Sequence, residues 1–240
     1  MATQNPSSAR FTPSRPGWRW VLVLVAGMAW LSVGCNPQML SMIIMPFTDT
    51  NVDPEYKLFA KDKEITLVIL TNFARPEHRP DLQGADAELA IQIAQAFRNR
   101  CTTNKHKIKI VSDAQVRSRQ LNQRAGGQLG AVEIGAHFKA DYVLDVTINS
   151  LGLYEKDLYP PMYRGRTDLA VSMYKVKAAD DDGHKVFGKE MQRGFPSGPG
   201  PIDATSMTAS WFRTTFLTKV ANDVAKTFIG YPPEERRVLD

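Results

Sequence analysis

The chain reads as a single α/β (α+β) domain on one mixed β-sheet of about five strands, in the order β-α-β-α-α-β-β-β-α with the helices packed on the sheet. Three features predict this. Glu64 to Phe73 is a β-branched run with almost no polar interruption, the pattern of a central strand covered on both faces. Gly84 to Cys101 places Leu89, Ala90, Ile93, Ala94, Phe97 and Cys101 on one helical stripe. Three further strand-like segments then lead into a long apolar-striped helix at the C-terminal end. That order implies two crossovers, an antiparallel meander and a closing helix.

Taken in order, the first 34 residues stand apart. They carry Arg10, Arg15 and Arg19 and no acid, followed by the uncharged 15-residue run Trp20 to Gly34 and then Cys35. A basic n-region before a short apolar run is the layout of a secretory signal, and a bilayer-spanning helix needs about 20 apolar residues. Residues 1–34 are therefore expected to be a signal peptide, and 35–62 a lipidated N-terminus and linker. The globular domain is expected over 63–230, and a tail over 231–240. Met39 to Met45 is a second short apolar patch after the anchor. An uncleaved single-pass anchor in the inner membrane is the alternative. Within the domain, Lys107 to Val111 alternate as a strand. Ser112 to Gln115 read as a capping box, with Val111 and Val116 as its hydrophobic staple. A polar helix from about Asp113 runs into Gly126-Gly127, read as a hinge, before a shorter helix from Ala131 to Lys139. Asp141 to Ile148 follow as a strand with Tyr142, Leu144, Val146 and Ile148 on one face, continuing to about Lys156. Thr167 to Val176 and Lys185 to Arg193 form two more strands, joined by an Asp180 to Gly183 turn whose Asp-Gly supplies the needed positive φ. Ser206 to Ile229 close the domain, with Phe212, Phe216, Leu217, Val220, Ala221, Val224 and Phe228 on one face; Gly230 and Pro232-Pro233 end it.

Composition narrows the function. With 43% apolar and 23% charged residues in 240, the chain is neither collagenous, low-complexity nor multi-span. The formal charge of +5 sits mostly in the leader. Beyond residue 34 there remain 27 basic and 25 acidic residues, too even a balance for a polyanion-binding surface, so no nucleic-acid partner is expected.

No catalytic or metal constellation is legible, and no cofactor is expected. Glu133 and His137 are a lone i,i+4 pair without the second histidine of a zinc helix. The acidic turn fails as a calcium loop at both ends, and Gly126 to Gly130 follow a helix, so they cannot cradle a phosphate after a strand. Cys101 lies on a buried stripe. Asp141 and Asp145 are the carboxylates to which an enzyme alternative, a periplasmic hydrolase on envelope material, would turn. The surface is more informative. Leu158 to Arg166 combines two tyrosines, two prolines and two arginines, a mixture favoured in protein contacts, and Tyr159, Tyr163, Arg164 and Arg166 are the expected partner-binding residues. Pro196 to Pro201 reads as an inert linker.

Small Gly34 before Cys35 resembles the lipobox of bacterial lipoproteins, which implies that the Cys35 thiol carries lipid. The strand order, the Leu89-Ile93-Phe97 helix, the passage Ile134-Gly135-Ala136-His137-Phe138-Lys139-Ala140-Asp141-Tyr142-Val143-Leu144 and the closing helix resemble a superfamily of envelope proteins. It includes the curli secretion lipoprotein, the lipoprotein activators of penicillin-binding proteins and the amino-terminal domain of the Tol propeller protein. The style also resembles planctomycete lipoproteins. The resemblance implies a non-catalytic interaction or assembly module in the periplasm, held to the membrane through Cys35, engaging another envelope protein and open to oligomerisation. The long membrane-inserting hairpins of the curli family have no counterpart segments here.

Overall fold

A computed structural model describes residues 51–59, 63–123, 130–155, 158–176, 183–198 and 200–236. The leader, Cys35, the Met39 to Met45 patch, the Gly126-Gly127 hinge and the acidic residues of the Asp180 to Gly183 turn lie outside the described residues.

The elements follow the expected order: β1 (Ile65–Phe73), α1 (Ala85–Thr103), β2 (Ile108–Ile110), α2 (Asp113–Gln123), α3 (Ala131–His137), β3 (Tyr142–Tyr154), β4 (Met162–Lys175), β5 (His184–Phe195), a short β6 (Ile202–Asp203) and α4 (Ala209–Phe228). One open mixed sheet runs β2-β1-β3-β4-β5, and β6 also pairs with β4. β1 is parallel to β2 and β3, whereas β3, β4 and β5 form the antiparallel meander. As its composition predicts, β1 is covered on both sides: Leu67, Val68, Ile69 and Leu70 are all buried.

Because strand side chains alternate, the two faces build two cores. On one face Leu67, Ile69, Leu144, Val146, Ile148, Leu169, Val171 and Met173 meet α1 and α4, whose Leu89, Ile93, Phe97, Phe216, Val220, Val224 and Phe228 fill the space between. On the other, Val68, Leu70 and Val143 meet Val116 of α2 and Ile134 of α3. Every residue of the expected apolar stripe on α4 is buried. Its N-terminus is capped by Thr208, whose hydroxyl accepts from the Trp211 N–H at 3.2 Å. Gly84 enters α1 at φ 73°, a left-handed conformation that L side chains rarely adopt.

Four local expectations need correction. The Ser112 hydroxyl bonds the Gln115 side chain at 3.0 Å, so the reciprocal capping box is replaced by a side-chain pair, although Val111 and Val116 do join one cluster. β4 begins at Met162, five residues before the expected start, so most of the presumed Leu158 to Arg166 loop is strand. Residues 51–59, read as linker, lie against the domain: Leu58 is buried, the Tyr56 N–H donates to the Thr227 carbonyl at 3.0 Å, and Val52 bridges Tyr231. The start of the presumed tail, Pro233–Arg236, is a turn of 3-10 helix held by a 2.6 Å Arg100–Glu235 ion pair.

Candidate functional site

The β3–β4 hairpin sorts the four expected contact residues into two groups. Alternation along β4 sends Tyr163, Gly165, Thr167 and Leu169 to the face under α4, and Arg164, Arg166 and Asp168 to the opposite face. Tyr163 is only 4% exposed and stacks on Phe212 of α4, with ring centroids 4.7 Å apart. The expectation that Tyr163 meets a partner is therefore corrected: its ring is core, because its position in the strand register points it inward. Tyr159, at the hairpin tip, is 98% exposed. Arg164 and Arg166 both donate to Glu155, at 3.0 and 2.9 Å, so a single carboxylate gathers two guanidinium groups at the base of the tip.

These arginines open onto a cavity of about 940 Å³ that the sequence did not announce. It is lined by β4, β5, α4 and the Pro196 to Gly198 turn, so the segment read as an inert linker forms a wall. Lining residues come from both sheet faces. Gly194 is among them, and an added Cβ there would find the Gly165 carbonyl at 3.8 Å. Gly165 itself lies under the Phe216 ring, which a Cβ would strike at 2.7 Å, so this glycine sets how closely α4 approaches β4.

The cavity is rich in cations. Arg100, Arg164, Arg166, Arg193, Lys219 and Lys226 line it, against Asp168, Asp223 and Glu235. Several share their counter-ions. Asp223 accepts from Arg193 at 2.8 Å and lies 3.6 Å from Lys226, while Glu235 takes Arg100 at 2.6 Å and Lys226 at 3.4 Å. Burial works to raise the Glu235 pKa, but Arg100 and Lys226 together hold it below the ordinary value. Lys219 sits 4.7 Å over the Phe195 ring and has no carboxylate partner among the described residues. Two buried polar atoms here, Asp168 Oδ1 and Arg100 Nε, have no hydrogen-bond partner among the described residues.

One signal for this site was available in sequence. Lys219, Asp223 and Lys226 are spaced i, i+4, i+7 beside the apolar stripe of the closing helix, which aligns them as a polar band. Nothing in sequence places Arg100 or Arg193 against that band.

The carboxylates considered for catalysis separate. Asp141 ties down the start of β1, its Oδ2 accepting the Thr66 N–H at 2.9 Å and its Oδ1 the Lys63 ammonium at 3.2 Å. Asp145 stands opposite Ser172 on the face away from α4. Burial holds its carboxyl above the ordinary range, with Lys185 opposing. The folded chain thus keeps a proton there that the unfolded chain releases, and stability falls as pH rises through the raised value. Asp145→Asn is expected to melt higher than the parent at about pH 7 and at the same temperature at about pH 3. Identical melts at both would show a solvated carboxylate. Glu133 accepts the Gly130 N–H at 3.0 Å, capping α3 rather than serving His137. Burial pushes the Cys101 thiol up to about 12, far from the range of a nucleophile. Among the described residues no cluster of three or more His, Cys, Asp or Glu could hold a metal ion, and no helix is long and apolar enough to cross a membrane.

No family model matches the chain, and no curated protein matches it. Among solved structures it is similar to a hypothetical protein from Chlamydia trachomatis, at 12% identity and a TM-score of 0.42 over 68% of this chain and 92% of that one. It is also similar to the PelC dodecamer from Paraburkholderia phytofirmans, at 13% identity and a TM-score of 0.40 over 72% of this chain and 96% of that one. A lipoprotein from Neisseria meningitidis matches at 10% identity and a TM-score of 0.38, covering 66% of this chain and 97% of that one.

Proposed function

We propose that the chain is a lipid-anchored cell-envelope protein whose α/β domain acts as a non-catalytic interaction module. The observation that carries the reading is the open cavity beside the β3–β4 hairpin, where Arg164 and Arg166 line a surface rich in cations and Tyr159 stands almost fully in solvent. Exposed tyrosine and arginine are side chains that protein contacts favour: tyrosine covers a large area at small entropic cost, and the planar guanidinium of arginine makes paired hydrogen bonds. The basic n-region, the short apolar run and the lone cysteine that follows them support the anchor at Cys35. The passage Ile134 to Leu144 supports kinship with the envelope superfamily. Two acyl chains on one cysteine hold a protein to a bilayer durably, because each buried methylene contributes about 0.8 kcal/mol.

The test is maturation and fractionation in a bacterial host. Wild-type chain should recover in the membrane fraction with acyl mass on Cys35, and Cys35→Ala should accumulate with its leader attached and without that mass. In crosslinking from intact envelopes, Tyr159→Ser should lose adducts by several-fold while melting as the parent does. Normal maturation of Cys35→Ala would overturn the anchor, and unchanged adducts would move the contact away from the hairpin tip.

A further inference from the structure

The cavity carries a more specific reading, which rests on the domain being a binding module. We infer that it takes an acidic peptide segment of a partner protein, laid along the β5 edge at Gly194 with its carboxylates turned alternately toward Arg166 and Lys219.

Charge is the first argument. The cavity lining holds six cationic side chains and three carboxylates, and adding Glu155, which already serves Arg164 and Arg166, still leaves the cations in excess. The excess sits where a ligand can reach it. Lys219 is exposed, with its ammonium over the Phe195 ring and no carboxylate partner among the described residues, and Arg166 keeps 58% of its side chain in solvent while sharing Glu155. Arg100 and Lys226, by contrast, are largely covered and already committed to Glu235.

The β5 edge is the second argument, and it separates a peptide from a simple anion, which has no backbone to pair with a strand. It is the last strand of the sheet, and none of its backbone groups bonds to backbone outside the sheet among the described residues. Gly194 presents no side chain there, and the nearest atom to an added Cβ would be the Gly165 carbonyl oxygen, at 3.8 Å. An extended segment can therefore lie alongside the edge and pair with its main chain, its successive side chains on opposite faces of the sheet.

The test uses the detergent-solubilised full chain and a fluorescein-labelled hexaglutamate peptide, read by anisotropy. Hexaglutamate should bind with an affinity that falls as salt rises, and hexaglutamine should bind at least tenfold more weakly. Lys219→Glu and Arg166→Gln should each weaken hexaglutamate at least fivefold while leaving the melting curve in place; both residues are exposed enough for the fold to survive. Inorganic phosphate should compete no better than its ionic strength explains. Binding unchanged in both variants, or displacement by millimolar phosphate or anionic vesicles through the same two residues, would overturn the assignment. Because the readout needs no anchor, failure at Cys35 leaves it standing, and failure here leaves the anchor standing.

Discussion

Phe216→Ala is expected to destabilise the domain by roughly 3–5 kcal/mol, the range for deleting a fully buried aromatic ring. Phe216 is 1% exposed in the middle of the α4 stripe, and Gly165 of β4 lies directly beneath the ring. That geometry is why the upper part of the range applies. A truncated core residue costs less where neighbours can lean into the space, but Gly165 has no side chain to offer, and Phe212 is held by stacking on Tyr163. Urea melts with an unchanged slope would measure the loss directly. A change below about 1 kcal/mol would mean that α4 does not rest on β4 through this ring.

How far this packing was legible depended on whether a local period carried it. The α4 stripe was, because seven apolar residues recur at helical spacing over Phe212 to Phe228, and all seven are buried. β1 was too, because a strand covered on both faces leaves no room for polar residues. The start of β4 was not. Pro160, Pro161 and Gly165 look like loop punctuation, yet Tyr163 and Thr167 alternate with Arg164, Arg166 and Asp168 straight through the glycine. The strand continues through its pairing with β3 and β5, and the Phe216 ring needs an absent side chain at 165. That requirement comes from a residue 51 positions away and leaves no local trace.

The candidate site divides along the same line. Arg164, Arg166 and Tyr159 could be picked by residue type, since they are surface chemistry on a hairpin. Tyr163 could not be told from Tyr159 by type; only the strand register separates a ring in solvent from one in the core. The cavity itself joins β4, β5 and α4, and its tightest ion pair spans Arg100 to Glu235, so composition gave no hint of it. Residues 51–59 show the converse. Pro46 and Pro54 within residues 46–61 suggested a linker, but the backbone bonds of Val52 and Tyr56 to the end of α4 and beyond make residues 51–59 part of the domain.

The Ile134-Gly135 pair, noticed first as a motif, has a direct physical meaning that a second substitution tests. A Cβ on Gly135 would lie 2.5 Å from the Val143 Cγ2 methyl and 2.5 Å from that of Val176, so α3 rests on β3 and the end of β4 through a bare backbone. Gly135→Leu must push the helix off the sheet or bend both valines from their rotamers, and overpacking of this kind costs typically 1–3 kcal/mol. Leucine recovers up to about 1 kcal/mol in helix propensity, which the clash of its further carbons outweighs, so a net loss of about 2 kcal/mol is expected. Gly130, five residues earlier at the N-cap, supplies the contrast. It has an ordinary φ of −67° and nothing within 4 Å of an added Cβ. Gly130→Ala should therefore change stability by less than about 0.5 kcal/mol, the unfolded-state gain offsetting the poorer fit of alanine at an N-cap. If both variants melt alike, α3 is not seated on Val143, and the Ile134-Gly135 pair would report helix sequence rather than packing.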